Sequence, residues 1–236
     1  MCTVSIVPSN GQWILTSNRD ELTERAAHPP QPYVHQNKTI WYPSDPKAGG
    51  TWFAVSSALA TVVLLNGAEK KHAIEPFYRK SRGLIVLELL SESDSVLMHW
   101  KSIDLTQIEP FTLVVFEYPH LHQLRWDGQH KSTVALDVNQ PHIWSSATLY
   151  SSKIRAEREQ WFADFLVQKP TITAADLFSF HQTRHPNNTK NGLVMERSTF
   201  LKTISITQLV IDANSAQLKH VDLLSNYQSV HTINPE

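Results

Sequence analysis

The chain has 236 residues with 21 basic and 22 acidic side chains, a formal charge of −1, and 41% hydrophobic residues. That hydrophobic content excludes a disordered chain, and the near-neutral balance supplies no electrostatic ground for binding nucleic acid. Seven glycines, with neither a GxGxxG nor a GxxxxGK(S/T) pattern, argue against a phosphate-cradling loop. No apolar run approaches the ~20 residues that cross a bilayer, and no transmembrane segment is expected. The N-terminus lacks the basic and long apolar regions of a signal peptide. With one cysteine there is no intramolecular disulfide, and the simplest placement is cytoplasmic.

In chain order, residues 3–7 and 12–17 are short apolar runs flanking Pro8-Ser9-Asn10-Gly11, a strong hairpin signal. Residues 24–47 carry Pro29, Pro30, Pro32, Pro43 and Pro46 and read as an ordered loop. Residues 51–56 and 59–65 form a second strand pair, the latter apolar enough for a strand covered on both faces. From Ser81 to Trp100 the leucines recur at helical spacing, with a break near Ser91–Ser95. Residues 111–117 and 121–126 read as a hairpin, and 133–136 as a further strand. Residues 151–167 form the clearest helix, with Ile154, Trp161, Phe162 and Phe165 on one face and Lys153, Arg155, Glu157, Arg158 and Glu159 mostly on the other. Residues 173–184 predict a second helix with Thr173 as N-cap and Asp176 in the first turn. Strands follow at 203–211 and 216–220. With no internal repeat or linker, this order reads as one α+β domain over residues 1–236, built on antiparallel sheet with segregated helices.

The only cysteine is at position 2. Methionine aminopeptidases remove an initiator Met that precedes a small side chain, and Cys qualifies. The mature chain then begins with a free α-amine (pKa ~7.7–8) beside a thiol (pKa ~8.5) on one residue. The amine can take the thiol proton directly or through a water, so the nucleophile needs no separate histidine base. Taken alone, cysteine at this position is also read as a small buried residue on an edge strand. Ser17-Asn18-Arg19-Asp20-Glu21 packs one cation and two carboxylates where the partner strand ends. An arginine there lowers a thiol pKa, and an aspartate can hold a protonated α-amine. The plainer alternative is a solvated turn with a surface ion pair worth ~0–1 kcal/mol.

Met1-Cys2 followed by Asn18-Arg19-Asp20-Glu21 resembles the NRDE family, which includes transport and Golgi organisation proteins. Gly49-Gly50-Thr51-Trp52 resembles the family's GGTW segment, and Val63-Leu64-Leu65-Asn66 its strand ending in Thr-Asn. Ser81-Arg82-Gly83 resembles the opening of its first helix. Trp144-Ser145-Ser146-Ala147 resembles a Leu-Ser-Asn-Ala segment, and Lys202-Thr203-Ile204-Ser205 the late Thr-Val-Ser strand. These matches are ordered along nearly the whole chain. The resemblance implies an N-terminal-nucleophile (Ntn) hydrolase-like α+β fold, a four-layer αββα sandwich with two mostly antiparallel sheets. It also implies kinship with cysteine-nucleophile amidases such as the choloylglycine hydrolases.

Carried over residue by residue, the resemblance makes Cys2 the nucleophile, with Arg19 stabilising its thiolate, Asp20 positioning its α-amine and Asn66 in the oxyanion hole. Asn18, Trp52, Ser146 and Thr203 become substrate-binding candidates. Ser146 departs from the family's usual Asn with a shorter side chain, and a late arginine of the choloylglycine hydrolases has no secure match, Arg197 and Lys202 being nearby. The function implied is hydrolysis of a non-peptide linear amide C–N bond. The alternative is a binding or trafficking protein holding a hydrophobic ligand, haem or an acyl lipid, in the same cleft. A purely structural role has no positive sign.

No metal or cofactor is expected, because His120 and His122, with His28 and His35, lack a defined third ligand. Trp52, Trp144 and Trp161 read as core or groove walls. Lys70-Lys71-His72 with Arg79, Lys80 and Arg82 reads as a solvated basic face, with anion or lipid head-group binding as its alternative.

Overall fold

The expected alternation of strands and helices is present in a computed structural model that describes residues 3–92, 95–212 and 215–235. In chain order its elements are β1 (Thr3–Ser9), β2 (Gln12–Leu22), β3 (His28–His35), β4 (Lys38–Ser44), β5 (Phe53–Ser56), β6 (Thr61–Asn66), α1 (Arg82–Ser91), α2 (Val96–Ser102), β7 (Phe111–Glu117), β8 (His120–Trp126) and β9 (Lys131–Leu136). They continue with β10 (His142–Ser145), α3 (Ser152–Val167), α4 (Ala174–His181), β11 (Leu201–Ile211), β12 (Ala216–Asp222) and β13 (Gln228–Ile233). Contacts divide them into two units, one made of the residues up to Ala26 with Asn139–Asn234, the other of Ala27–Val138. Among the described residues no helix is long and apolar enough to cross a membrane.

In the first unit six antiparallel strands run in the order β10-β1-β2-β11-β12-β13. Its register starts at a two-residue turn. Asn10 and Gly11 both have positive φ (52° and 76°), the type I′ geometry that matches strand twist, and they connect the paired residues Ser9 and Gln12. Val7 and Ile14 of that hairpin pack with Phe162 of α3, Leu177 and Phe180 of α4, and Leu193. Ser151 caps α3 by accepting from the Ile154 amide. Thr173 and Asp176 form a reciprocal capping box on α4.

Two expectations change in this unit. Arg158, assigned to the polar face of α3, is fully buried. It lies four residues from both Ile154 and Phe162, which puts it on the apolar stripe rather than opposite it. Strands β10 and β13 carried no clear signal, since β10 is only four residues long and β13 (Gln-Ser-Val-His-Thr-Ile) is an edge strand of mostly polar residues.

In the second unit seven antiparallel strands follow one another in sequence order, β3-β4-β5-β6-β7-β8-β9. The 24–47 segment, expected as a loop, contains the β3–β4 hairpin. Proline blocks a ladder only where its missing N–H is needed. β3 is an edge strand, and its pairing with β4 shifts register between His28 and Gln31, across Pro29 and Pro30. Gln36 and Asn37, both at positive φ, close this hairpin. Helices α1 and α2 separate near Ser91–Ser95 as expected.

The GGTW and Ser-Arg-Gly segments meet in this unit. A Cβ on Gly50 would lie 2.4 Å from the Gly83 carbonyl carbon, and one on Gly83 would lie 2.8 Å from the Thr51 backbone. The Thr51 amide donates to the Gly83 carbonyl at 3.2 Å. Both glycines therefore serve close backbone approach, whereas Gly11 serves a left-handed turn with open space around it. Gly50→Ala and Gly83→Ala should each cost about 3 kcal/mol through overpacking against rigid backbone. Gly11→Ala should cost about 1–2 kcal/mol. Urea unfolding midpoints compare them, and equal losses would refute the close-approach explanation.

Candidate active site

The residues of the Asn-Arg-Asp-Glu tetrapeptide sit on β2 between β1 and β11. Thr3 pairs with Asn18 on one side and with Ser145 on the other. Arg19 pairs with Ser205 and Asp20 with Thr203, with Ile204 left over as a bulge. Bulges re-aim side chains beside functional sites. Cys2 itself lies outside the described residues, as does Met1. Thr3, joined to Cys2 by one peptide bond, is fully buried.

Strand alternation gives Asn18 and Asp20 one face of the sheet and Arg19 the other. Asp20 is 2% exposed, yet its carboxylate accepts from Tyr150 Oη at 2.6 Å and from Thr203 Oγ1. The Thr203 hydroxyl in turn accepts from the Met195 amide at 2.9 Å. The Arg158 guanidinium lies 3.7 Å over the Tyr150 ring and that of Arg197 lies 5.0 Å over it. Arg158 donates to Thr3 Oγ1 and to the carbonyls of Asn191 and Gly192. Among the described residues it has no carboxylate partner, so its buried charge is held by neutral oxygens and an aromatic face. Arg19, 1% exposed, donates to the Arg25 carbonyl at 2.6 Å.

Asn18 anchors a second buried chain. Its Nδ2 donates to the carbonyls of His181 (2.9 Å) and Leu193 (2.7 Å), which leaves Oδ1 to accept from His181 Nδ1 at 2.6 Å. That bond fixes the proton on Nδ1, so Nε2 accepts from Ser5 Oγ at 2.7 Å. Burial and the nearby Arg158 charge push the His181 pKa down to about 3, which keeps the ring neutral as this chain requires. His220 on β12, bonded to Thr207 Oγ1 at 2.8 Å, is pushed down to about 4, chiefly by burial.

Ser146 directly follows β10, is 1% exposed and shares a 2.9 Å hydrogen bond with the Thr148 hydroxyl. The structure thus brings Asn18, Arg19, Asp20, Ser146 and Thr203 together at one end of the first unit's sheet. Asn66 and Trp52 belong to the second unit. Asn66 is half-buried at the end of β6, where Gly67 (φ 82°) turns the chain and donates to the Pro110 carbonyl at 3.0 Å. Trp52 is buried, its carbonyl accepting from Leu64 at 2.8 Å. One group in that unit, Glu88, Glu92 and His99, brings metal-type ligand atoms within 4.8 Å of one another, and Glu88 there is ion-paired with Lys80.

Tyr150, Arg158 and His181 carried no motif in the sequence. The one usable signal was the position of Arg158 on the apolar stripe of α3. The two buried histidines generate a pH dependence. Each is neutral when folded but takes a proton near pH 6.5 when unfolded, so stability is complete above that value and is lost as pH falls toward the folded pKa. Together they should remove about 3–4 kcal/mol between pH 7 and pH 5. Urea unfolding at the two pH values measures the loss, and His220→Gln should roughly halve it. A pH-independent stability over this range would show that both rings accept protons in the folded chain.

Similarity to known proteins agrees with this geometry. No curated protein matches the chain in sequence. Penicillin V acylase from Agrobacterium tumefaciens is 12% identical, with 99% of this chain and 86% of that chain covered and a TM-score of 0.58. An N-acylethanolamine-hydrolyzing acid amidase ortholog from Caenorhabditis elegans is 11% identical, with 88% and 92% covered and a TM-score of 0.62. A mutant conjugated bile acid hydrolase from Clostridium perfringens is 10% identical, with 100% and 98% covered and a TM-score of 0.53. At these identities the likeness shows the fold, which is the Ntn-hydrolase-like α+β fold with two antiparallel sheets. Residues 1–229 match the family described as Transport and Golgi organisation 2. With its tetrapeptide on β2 and its paired glycine motifs, the chain belongs to the Transport and Golgi organisation 2 family, the NRDE family that its motifs resemble.

Proposed function

We propose that the protein is an N-terminal-cysteine amidohydrolase that cleaves a non-peptide linear amide C–N bond once everything before Cys2 has been removed. The observation that carries this reading is the cluster around Asp20, a buried carboxylate held by two hydroxyl donors on the strand beside Thr3. A buried ionisable network is costly to fold and is characteristic of functional sites. The fold's neighbours support the reading, since their names describe acylases and amide hydrolases.

In the proposed cycle the α-amine takes the Cys2 thiol proton and the resulting thiolate attacks the amide carbonyl. Asn66 with a backbone N–H holds the oxyanion. The α-amine then protonates the leaving amine, and water resolves the thioester. Arg19 stabilises the thiolate and Asp20 orients the α-amine. Tyr150, Thr203 and Arg158 act as positioning residues, the first two by fixing the Asp20 carboxylate and the third by holding Thr3. Asn18 positions the same strand through His181, and Trp52 and Ser146 remain the substrate-side candidates. A thiol nucleophile works in a reducing compartment, and we place the protein in the cytoplasm on that ground.

Intact mass before and after iodoacetamide, scanned over pH, tests the nucleophile. The expected result is a chain lacking Met1 whose single cysteine alkylates well below its ordinary pKa of ~8.5, with Arg19→Ala moving that midpoint upward. On a panel of N-acyl amides Cys2→Ser should abolish turnover. Asn66→Ala should lower kcat by about 10²–10³. A retained Met1 or an inert thiol would overturn the hydrolase and favour a ligand-binding role.

A further inference from the structure

We propose that the loop at residues 69–80 is a membrane-docking element that seats the protein on an anionic bilayer surface, independently of any amidase activity. The loop joins β6 to α1 without secondary structure of its own. Ile74 is 83% exposed and Phe77 64% exposed, three residues apart on one connection. Scattered single apolar residues on a surface are ordinary. Two large ones on one rigid projection, flanked by lysines, are a different arrangement.

The projection is rigid because both of its ends are tied to the second unit. His72 Nε2 meets Glu109 Oε1 at 3.2 Å. At the far end the Arg79 amide donates to the Gln107 carbonyl at 3.0 Å, and its Nε donates to the Thr106 carbonyl at 2.7 Å. Between these ties the Glu75 amide donates to Tyr78 Oη at 2.9 Å. Ile74 and Phe77 are thus presented at the outset, and little ordering entropy opposes their insertion into a partner.

Charge selects the partner. Arg79, Lys80 and Arg82 are ion-paired with Asp104, Glu88 and Glu109. Lys70 and Lys71 are exposed and, among the described residues, have no ion pair. They line a recess of about 360 Å³ that also receives Arg125, with Glu69 and Asp127 as its acids. Two apolar tips fall well short of the ~1,000 Å² that a stable protein interface buries. A bilayer accepts isolated apolar tips at the acyl boundary and attracts neighbouring lysines through its acidic head groups. Glu69 and Glu75 are the two adverse charges on the loop, and Glu75 is the one beside the apolar tip.

Co-sedimentation of the full chain with phosphatidylcholine vesicles, with and without 30% phosphatidylserine, tests this. Binding should require phosphatidylserine and weaken in 0.5 M salt. Lys70→Glu and Lys71→Glu should each weaken it at least fivefold, and Ile74→Ser with Phe77→Ser at least tenfold. Glu75→Gln should strengthen it several-fold. All these side chains are exposed, so melting temperatures serve as the folding control and should stay near that of the unaltered chain. Absence of binding to phosphatidylserine vesicles, or equal binding by the Ile74→Ser/Phe77→Ser variant, overturns the proposal. Vesicle-free self-association lost in that variant would assign the patch to a second copy and overturn it too.

Discussion

The candidate site depends on one register, that of β1 against β2. The Asn10-Gly11 turn permits only two residues between the paired Ser9 and Gln12, and the ladder then runs without a break to Thr3 opposite Asn18. Side chains alternate with period two, so a slip by one residue would send Asn18 and Asp20 to the face of Arg19 and reverse every polar contact described above. On the far side of β2 the ladder with β11 tolerates one irregularity, at Ile204, between the partners of Asp20 and Arg19. The site therefore has a rigid hairpin on one flank and a bulge on the other. That combination fixes the strand while leaving a local departure from flat pleating to aim Thr203 at the Asp20 carboxylate.

Among the described residues Arg158 is a buried arginine with only neutral partners, and that has to be justified energetically. Desolvating a guanidinium is expensive, and a carboxylate partner is the common remedy. Arg158 uses three backbone-and-hydroxyl acceptors and the face of Tyr150 instead. The consequence reaches two neighbours. Its charge helps to keep His181 neutral, and only a neutral ring can accept from Ser5 while donating to Asn18. By lying over Tyr150 it also steadies the ring whose hydroxyl donates to Asp20. The carboxylate chain and the histidine chain come together at the Leu193 carbonyl, which accepts from Asn18 Nδ2 at 2.7 Å and lies 3.3 Å from Thr203 Oγ1. Arg158 acts on both, over the Tyr150 ring and through its charge on His181.

Features written in local chemistry were legible from sequence alone. The Asn-Gly turn, the Thr173 cap and the break between α1 and α2 are decided by residues within a few positions of one another. The prolines of β3 were misleading because whether a proline disrupts a strand depends on its place in the sheet, and edge position is a property of the assembled fold. The tetrapeptide was recognisable as a motif, but its partners were not. Ser5 and His181 are 176 positions apart, and Asp20 and Thr203 are 183 apart. No periodicity or spacing connects such residues before the chain has folded. Arg158 is intermediate, since its spacing from Ile154 and Phe162 marks the buried stripe even though its charge suggests the opposite.

The tetrapeptide itself resolves into two interleaved pairs with different work. Asn18 and Asp20 share the face that reaches α4, Tyr150 and β11. Arg19 and Glu21 share the other face and converge on Arg25, Arg19 through its carbonyl and Glu21 through its guanidinium at 3.1 Å. That second pair fastens the chain as it leaves β2, where the Arg25 amide donates to the Leu22 carbonyl at 2.9 Å. Four consecutive residues in a strand can serve two faces only because the pleat separates them, which explains why the motif is contiguous in sequence although its contacts are not. It also divides the burdens of the motif. Glu21 accepts from the Leu22 amide and from Arg25, whereas Arg19 fastens the same turn from a position next to Asn18, the residue paired with Thr3.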